Sequence, residues 1–258
     1  MKAILICGGR LSGKLAEREP TGVKCLLKFR GATLLEIAAR AIAAAVPPLT
    51  EAVAVGGDDV AAEVDRIAPA IASLGLAFSH AHEGTTVVDN ILIGLDKLEA
   101  PALFLVVSPD LPALSGAALS DFIARRPIDA DIAVPVVTRE AFLARFPGSP
   151  TRFEKFQEGY LTMGSALIFS TACFRKNVPL FIDAYNVRKS PTKMLVMLGF
   201  SFILAALTRR LSIPTVEAKA SRITDCAVRG TLGCAAELAF DVDNEKEFEF
   251  IERLEGAA

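Results

Sequence analysis

Tryptophan is absent from the 258 residues, tyrosine and histidine occur twice each, and the net charge is only −2. Each shortage removes a class of protein. The two histidines, His80 and His82, form a His-x-His pair with no third partner, and two ligands do not make a metal site. Without a positive excess a nucleic-acid-binding surface is not expected. The five cysteines (Cys7, Cys25, Cys173, Cys226 and Cys234) contain no Cys-x-x-Cys pair and are odd in number, which suits a reducing compartment better than a disulfide framework. Lys2 is followed by only five apolar residues before Gly8, so no signal peptide is expected and the chain reads as cytoplasmic. Nor is a membrane span expected. The segment Met194 to Leu207, "MLVMLGFSFILAAL", comes nearest, but its 14 residues fall short of the ~20 a helix needs to cross a bilayer. A buried helix there is one reading. A greasy wall for a hydrophobic acceptor, or a peripheral membrane contact aided by Arg188, Lys189, Lys193, Arg209 and Arg210, is another.

What is present is an apolar chain, 52% hydrophobic, with an α/β rhythm. "KAILIC" at Lys2 is a short apolar run stopped by glycines, as central parallel strands are. Thr33 can cap an Ala-rich helix that Pro47 and Pro48 terminate. "EAVAVGG" repeats the strand-then-glycine punctuation, and the helix after it carries Asp58 and Asp59 in its first turn. "LAFSH", "ALFLVV" within Ala102 to Pro112, "DADIAVPVV" and "ALIFS" supply further strands, with a helix predicted over Thr85 to Leu98. Alternation of this kind predicts a mostly parallel sheet with helices on both faces. Ligands of such sheets sit beyond the carboxyl ends of the strands, which directs attention to the loops after Cys7, Val55, His80 and Val107. Residues 1–258 read as a single domain, with a helical insertion at about 175–215.

The loop "CGGRLSGKL", Cys7 to Leu15, fits the phosphate-binding pattern G-x-x-x-x-G-K from Gly8 to Lys14. A P-loop next needs Ser or Thr to hold Mg²⁺, and Leu15 stands there. A P-loop kinase, a structural turn and a different glycine-rich phosphate cradle are the alternatives. Downstream residues favour the last. In nucleotidyltransferases of the MobA-like type the first strand ends in a Gly-Gly loop, and a lysine follows before a Leu-Leu pair and a glycine turn. "LICGG" and "KCLLKFRGATLLE", Lys24 to Glu36, resemble that layout. "VVSPDLPAL", Val106 to Leu114, resembles the family's strand ending in Asp-x-Pro, and "AFDVDNEKEFEFI", Ala239 to Ile251, its closing acidic segment. "TMGS", Thr162 to Ser165, resembles the acceptor-side "T-G-G-N" stretch.

The resemblance implies a Rossmann-like fold of the nucleotide-diphospho-sugar transferase type. It implies a Mg²⁺-dependent transfer of NMP from an NTP to a phosphorylated small-molecule acceptor, with release of pyrophosphate. Lys24 and Asp110 are then the catalytic pair. Asp110 holds the metal with Asp243 and Asp241, which alternate on an expected strand. Cys7, Gly8, Gly9, Arg10, Lys14 and Lys24 face the nucleotide's phosphates, and Glu83, Gly84 and Asn90 face its base. Gly164 and Lys155, with Arg152, face the acceptor. The chain departs from the family pattern where Leu11 and Gly13 stand after the Gly-Gly pair, at Ser165, and at Asn244-Glu245 in place of Thr-Pro. Elementary chemistry agrees with the carry-over. An acceptor phosphate attacking an NTP brings two anions together, and backbone N–H groups at glycines, a lysine point charge and carboxylates holding Mg²⁺ are the devices that neutralise them. A nucleotide-binding module without catalysis is the alternative from another class.

Overall fold

A computed structural model describes residues 1–187 and 211–256. From the N-terminus the chain forms β1 (Lys2–Ile6), the single-turn α1 (Leu15–Arg18), a small hairpin of β2 (Lys28–Phe29) and β3 (Ala32–Thr33), and α2 (Leu34–Ala43). It continues through β4 (Glu51–Gly56), α3 (Asp58–Ala72), β5 (Ala77–His82), α4 (Val87–Lys97), β6 (Leu103–Val107) and α5 (Gly116–Arg125). Then follow β7 (Ile132–Thr138), α6 (Arg139–Arg145), β8 (Glu154–Phe156), β9 (Gly159–Met163) and β10 (Ala166–Ser170). The described residues end with α7 (Thr171–Lys176), α8 (Val178–Val187), α9 (Ile213–Thr224), β11 (Val228–Leu232) and α10 (Glu245–Gly256).

Nine described strands make one sheet in the order β5-β4-β1-β6-β10-β7-β9-β8, with β11 on the free side of β7. Only β9 and β10 run against the rest, so the sheet is mixed but mostly parallel. Period-2 alternation divides the strands between two cores. Ala3 and Leu5 of β1, Ala52 and Ala54 of β4, and Leu105 and Val107 of β6 pack with α2, α3, α5 and α10. Their neighbours Ile4, Val53, Val55, Phe104 and Val106 pack with α4 and α7 on the other face. Both faces being buried explains why these strands read as continuous apolar runs.

The helices begin where the sequence says they should. Thr33 accepts from Glu36 N to cap α2, and Thr86 forms a capping box with Asp89 at the start of α4. The carboxyl ends of β1, β4, β5 and β6 therefore open on one edge of the sheet. Of the helical insertion expected at about 175–215, α8, the end of α7 and the start of α9 are described, whereas 188–210, with Met194 to Leu207, lies outside the described residues. No described helix is long and apolar enough to cross a membrane.

Two expectations need correction. Cys173 on α7 and Cys226 before β11 are joined in a disulfide, while Cys7, Cys25 and Cys234 are buried free thiols. The two partners lie 53 residues apart and meet only because α7 and the end of α9 share one face, which no local spacing announces. The segment Asp241 to Asp243 is also not a strand. It is held instead by the fully buried Val242 side chain and by Val242 N, which donates to Asp110 O at 3.0 Å.

Gly164 marks the point where β9 passes into β10 along one edge of β7. Met163 pairs with Val136 and Ile168 with Ala133, so the chain carries extra residues there and bulges at Gly164 and Ser165. A Cβ on Gly164 would lie 2.6 Å from Leu238 O, and Ser165 N ties that same carbonyl at 2.8 Å. The backbone cannot retreat. Gly164→Ala is therefore expected to lower the unfolding free energy by about 1–3 kcal/mol, read as a lower urea midpoint; an unchanged midpoint contradicts this packing.

Candidate active site

The loop after β1 is zipped to the strand-like segment ahead of Lys24. Lys24 N donates to Gly9 O at 2.9 Å, Leu11 N donates to Gly22 O at 2.8 Å, and Arg10 bridges to Val23. Gly13 and Lys14 come after this ladder and lead only into the four-residue α1. Lys14 is exposed and faces Glu245 at 3.6 Å. The string Gly8 to Lys14 thus lacks the loop wrapped onto a long helix that defines a P-loop.

Gly8 is the point of closest approach. A Cβ there would lie 2.6 Å from Glu83 Oε2 and 3.3 Å from Asn90 Nδ2. Glu83 is held by Arg10, whose Nη2 donates to Glu83 Oε1 at 2.6 Å and whose Nη1 donates to Gly8 O at 3.2 Å. Asn90, buried in the first turns of α4, accepts from Gly84 N at 2.7 Å. Gly8 and Arg10 from the loop after β1, Glu83 and Gly84 from the loop after β5, and Asn90 from α4 thus form one contact. Cys7 lies at its base with a buried side chain and its N–H on Val55 O, and burial raises its thiol pKa. His80 is committed to Gly56 O, and its ring meets that of His82 edge-on.

The carboxylates converge on Lys24. Its Nζ donates to Asp110 Oδ2 at 2.5 Å and to Asp243 Oδ1 at 2.6 Å. Asp110, Asp241 and Asp243 each bring an oxygen within 4.8 Å of the others. Burial pulls Lys24 down, but the attraction of Asp110 and Asp243 outweighs it and the net shift is upward. Asp241 is pushed up to about 6, by burial first and then by the charges of Asp110 and Asp243. Asp110 is almost wholly buried, and its second oxygen, Oδ1, has no hydrogen-bond partner among the described residues. An orphaned buried carboxylate oxygen beside two more carboxylates suits a hard divalent cation that prefers oxygen ligands.

Asn244 caps α10, accepting from Glu247 N, while Glu247 Oε2 accepts from Asp243 N at 2.7 Å and from Asn244 N at 3.1 Å. This capping box holds Asp243 in place. Glu247 was missed in the sequence, although Asn-x-x-Glu before an apolar run is a readable start signal. Ser108, which lines a small 90 Å³ hollow with Lys24 and Asp110, was missed as well, because a serine at a strand end carries no pattern of its own.

In front of the cluster lies a cleft of about 850 Å³, bordered by Gly13, Lys14, Arg152, Thr162, Asp241 and Asp243. Arg152 therefore stands on the cleft. Lys155 does not border it; on β8 it alternates with Glu154 and Phe156, and its ammonium lies 5.7 Å from the Tyr160 ring centre. Gly164 sits beside Thr162 at the bulge, with its backbone N–H on Pro135 O.

An open α/β sheet with a glycine loop, a lysine and converging acids at its carboxyl edge is the architecture of a nucleotidyl-transferring enzyme. The chain belongs to the MobA-like NTP transferase domain family, whose model matches residues 3–188. It is similar over 96% of its length to a hypothetical transferase from Thermus thermophilus, with 28% identity, 99% of that chain covered and a TM-score of 0.80. It also shares its fold with a CMP:2-keto-3-deoxy-manno-octonic acid synthetase complexed with CTP, at 14% identity, with 100% and 99% of the two chains covered and a TM-score of 0.60. The 4-diphosphocytidyl-2C-methyl-D-erythritol synthase from Anaerococcus prevotii is similar at 12% identity, with 99% and 97% covered and a TM-score of 0.57. No curated protein sequence matches the chain.

The acidic crowding has a measurable consequence. An acid whose folded pKa lies above its unfolded one holds its proton more tightly when folded, so its share of stability is present below about pH 4 and lost as pH rises through its folded value. For Asp241 that upper value is about 6. In metal-free buffer Asp241→Asn should be more stable than the parent at pH 8, by about 1–3 kcal/mol, with the gap closing towards pH 4. Urea midpoints that differ equally at both pH values would contradict the assigned crowding.

Proposed function

We propose that this chain, with residues 1–258 acting as one catalytic unit, transfers NMP from an NTP to a phosphorylated small-molecule acceptor. An acceptor phosphate oxygen forms a bond to the α-phosphorus, the α–β bridging bond breaks, and pyrophosphate leaves with the electron pair. The observation that carries this reading is the convergence of Lys24, Asp110, Asp241 and Asp243, with one buried Asp110 oxygen unpartnered among the described residues.

The reaction has no group that must act as a strong base, so positioning and charge neutralisation are the protein's contribution. The Gly8 and Gly9 backbone, Arg10 and Lys14 flank the triphosphate, and Lys24 adds a point charge beside it. Glu83, Gly84 and Asn90 meet the base, for which the amide of Asn90 offers both a donor and an acceptor. Arg152, with Gly164 in the chain's turn from β9 to β10, belongs to the acceptor side, and Lys155, which lies off the cleft against Tyr160, adds only a more distant positive charge there. Asp110, Asp241 and Asp243 are the residues that would hold Mg²⁺, which when bound supplies charge neutralisation of the phosphate oxygens. A reaction that consumes an NTP fits a cytoplasmic protein.

Pyrophosphate release, measured for the four NTPs against a panel of phosphomonoesters, tests the reading. One pairing should be productive, and Asp110→Ala and Lys24→Ala should each slow it by about 100-fold or more. Release from no pairing, with NTP binding retained, would leave a nucleotide-binding module and sink the transferase claim.

A further inference from the structure

A second cavity, of about 300 Å³, adjoins the cleft. Its walls are largely hydrocarbon, from Val136, Leu161, Met163, Ile213, Val216 and Val228 on β7, β9, α9 and β11. Of the charged groups that reach it, Arg229 is spent on Asp129 at 2.6 Å, and Glu217 accepts from Gly230 N at 2.7 Å. Glu154 stands exposed at its rim. The cavity is built into fixed elements. Ile213 N donates to Glu158 Oε1 at 3.1 Å and Gln157 N to Leu211 O at 2.8 Å, which seats the start of α9 on the turn between β8 and β9.

Two residues, Arg152 and Thr162, line both this cavity and the cleft that holds Asp241 and Asp243. Arg152 has no carboxylate partner among the described residues, so its five donors are available for a phosphate at the seam. A sugar lodged in the cavity would bury hydroxyls against hydrocarbon without partners, which is costly, whereas an apolar body would gain. We infer that the cavity receives the non-phosphate part of the acceptor, and that this acceptor is a phosphomonoester with a compact hydrocarbon body whose phosphate Arg152 holds at the mouth of the cleft. The inference rests on the transfer reading for its role and on the cavity alone for its binding.

The probe is a series of n-butyl, n-hexyl and n-octyl monophosphates titrated calorimetrically into the full chain. Each added methylene buried should tighten binding about fourfold, so octyl phosphate should bind far more tightly than butyl phosphate. Val216→Phe fills the cavity and Met163→Glu sets a carboxylate at its exposed edge; each should flatten the series, with urea midpoints showing that the variants are folded. Because Met163 is 67% exposed, its variant keeps the test open should the filled one fail to fold. A flat series in the parent, or a steep one that survives Met163→Glu, overturns the assignment. Pyrophosphate release with a polar phosphomonoester such as glucose 1-phosphate beside a flat alkyl series removes the cavity assignment and leaves the transferase. A steep series without pyrophosphate release from any NTP removes the transferase and leaves an apolar phosphomonoester site.

Discussion

Three carboxylates within 4.8 Å of one another repel, and the chain must hold them there against that repulsion. Lys24 supplies the compensating charge. Its ammonium binds Asp110 and Asp243 together, one buried and one exposed, and leaves Asp241 with a pKa raised to about 6. One cation against three acids leaves an anionic site when all are ionised, which a divalent cation neutralises and a triphosphate alone would not. Much of the surrounding structure serves to keep these four side chains together. The ladder from Gly9 fixes the Lys24 backbone, Val242 N fixes the acidic segment to the Asp110 turn, and Glu247 fixes Asp243.

Under the proposed transfer, the same edge of the sheet divides into a nucleotide half and an acceptor half. On the nucleotide side the absence of a Cβ at Gly8 lets Glu83 and Asn90 come against the loop, and Arg10 locks Glu83 there. On the acceptor side the bulge at Gly164 anchors the backbone of Leu238, which leads directly into Asp241. Arg152 marks the boundary between the polar cleft and the hydrocarbon cavity beside it. Under that reading, chemistry and acceptor selection fall on adjoining walls.

Much of the parallel half of the sheet was legible in the sequence because its strands are buried on both faces and end in glycines or a polar turn, as "KAILIC", "EAVAVGG" and "ALFLVVSPD" show. Asp110 and Lys24 were legible because they stand at the end of one such strand and just beyond the glycine loop of another. Gly13-Lys14 matches a P-loop only as a string, which Leu15 already argued against; the pairing of Leu11 with Gly22, which uses up the loop, is seen only in the fold. The mixed half was harder to read. β8 and β9 are short and half-exposed, and the bulge at Gly164 depends on a carbonyl 74 residues later in the chain, at Leu238. Asp241 and Asp243 were found on the supposition of a strand; they share a side because Val242 is buried between them, not because a ladder alternates them. The pairing of Cys173 with Cys226 is a product of helix placement and could not be read from spacing. The apolar cavity was invisible for a related reason, because its walls come from β7, β9, α9 and β11 and meet only in the folded chain.

The central claim is that Asp110, Asp241 and Asp243 form, with Lys24, a divalent-cation site for a bound nucleotide. Electron paramagnetic resonance titration of Mn²⁺, with α,β-methylene analogues of the four NTPs present in turn, measures it most directly. The account predicts saturable Mn²⁺ uptake by the parent that weakens about tenfold or more in Asp110→Asn, as expected when a charged metal ligand is lost. Superimposable titration curves for parent and variant would contradict it.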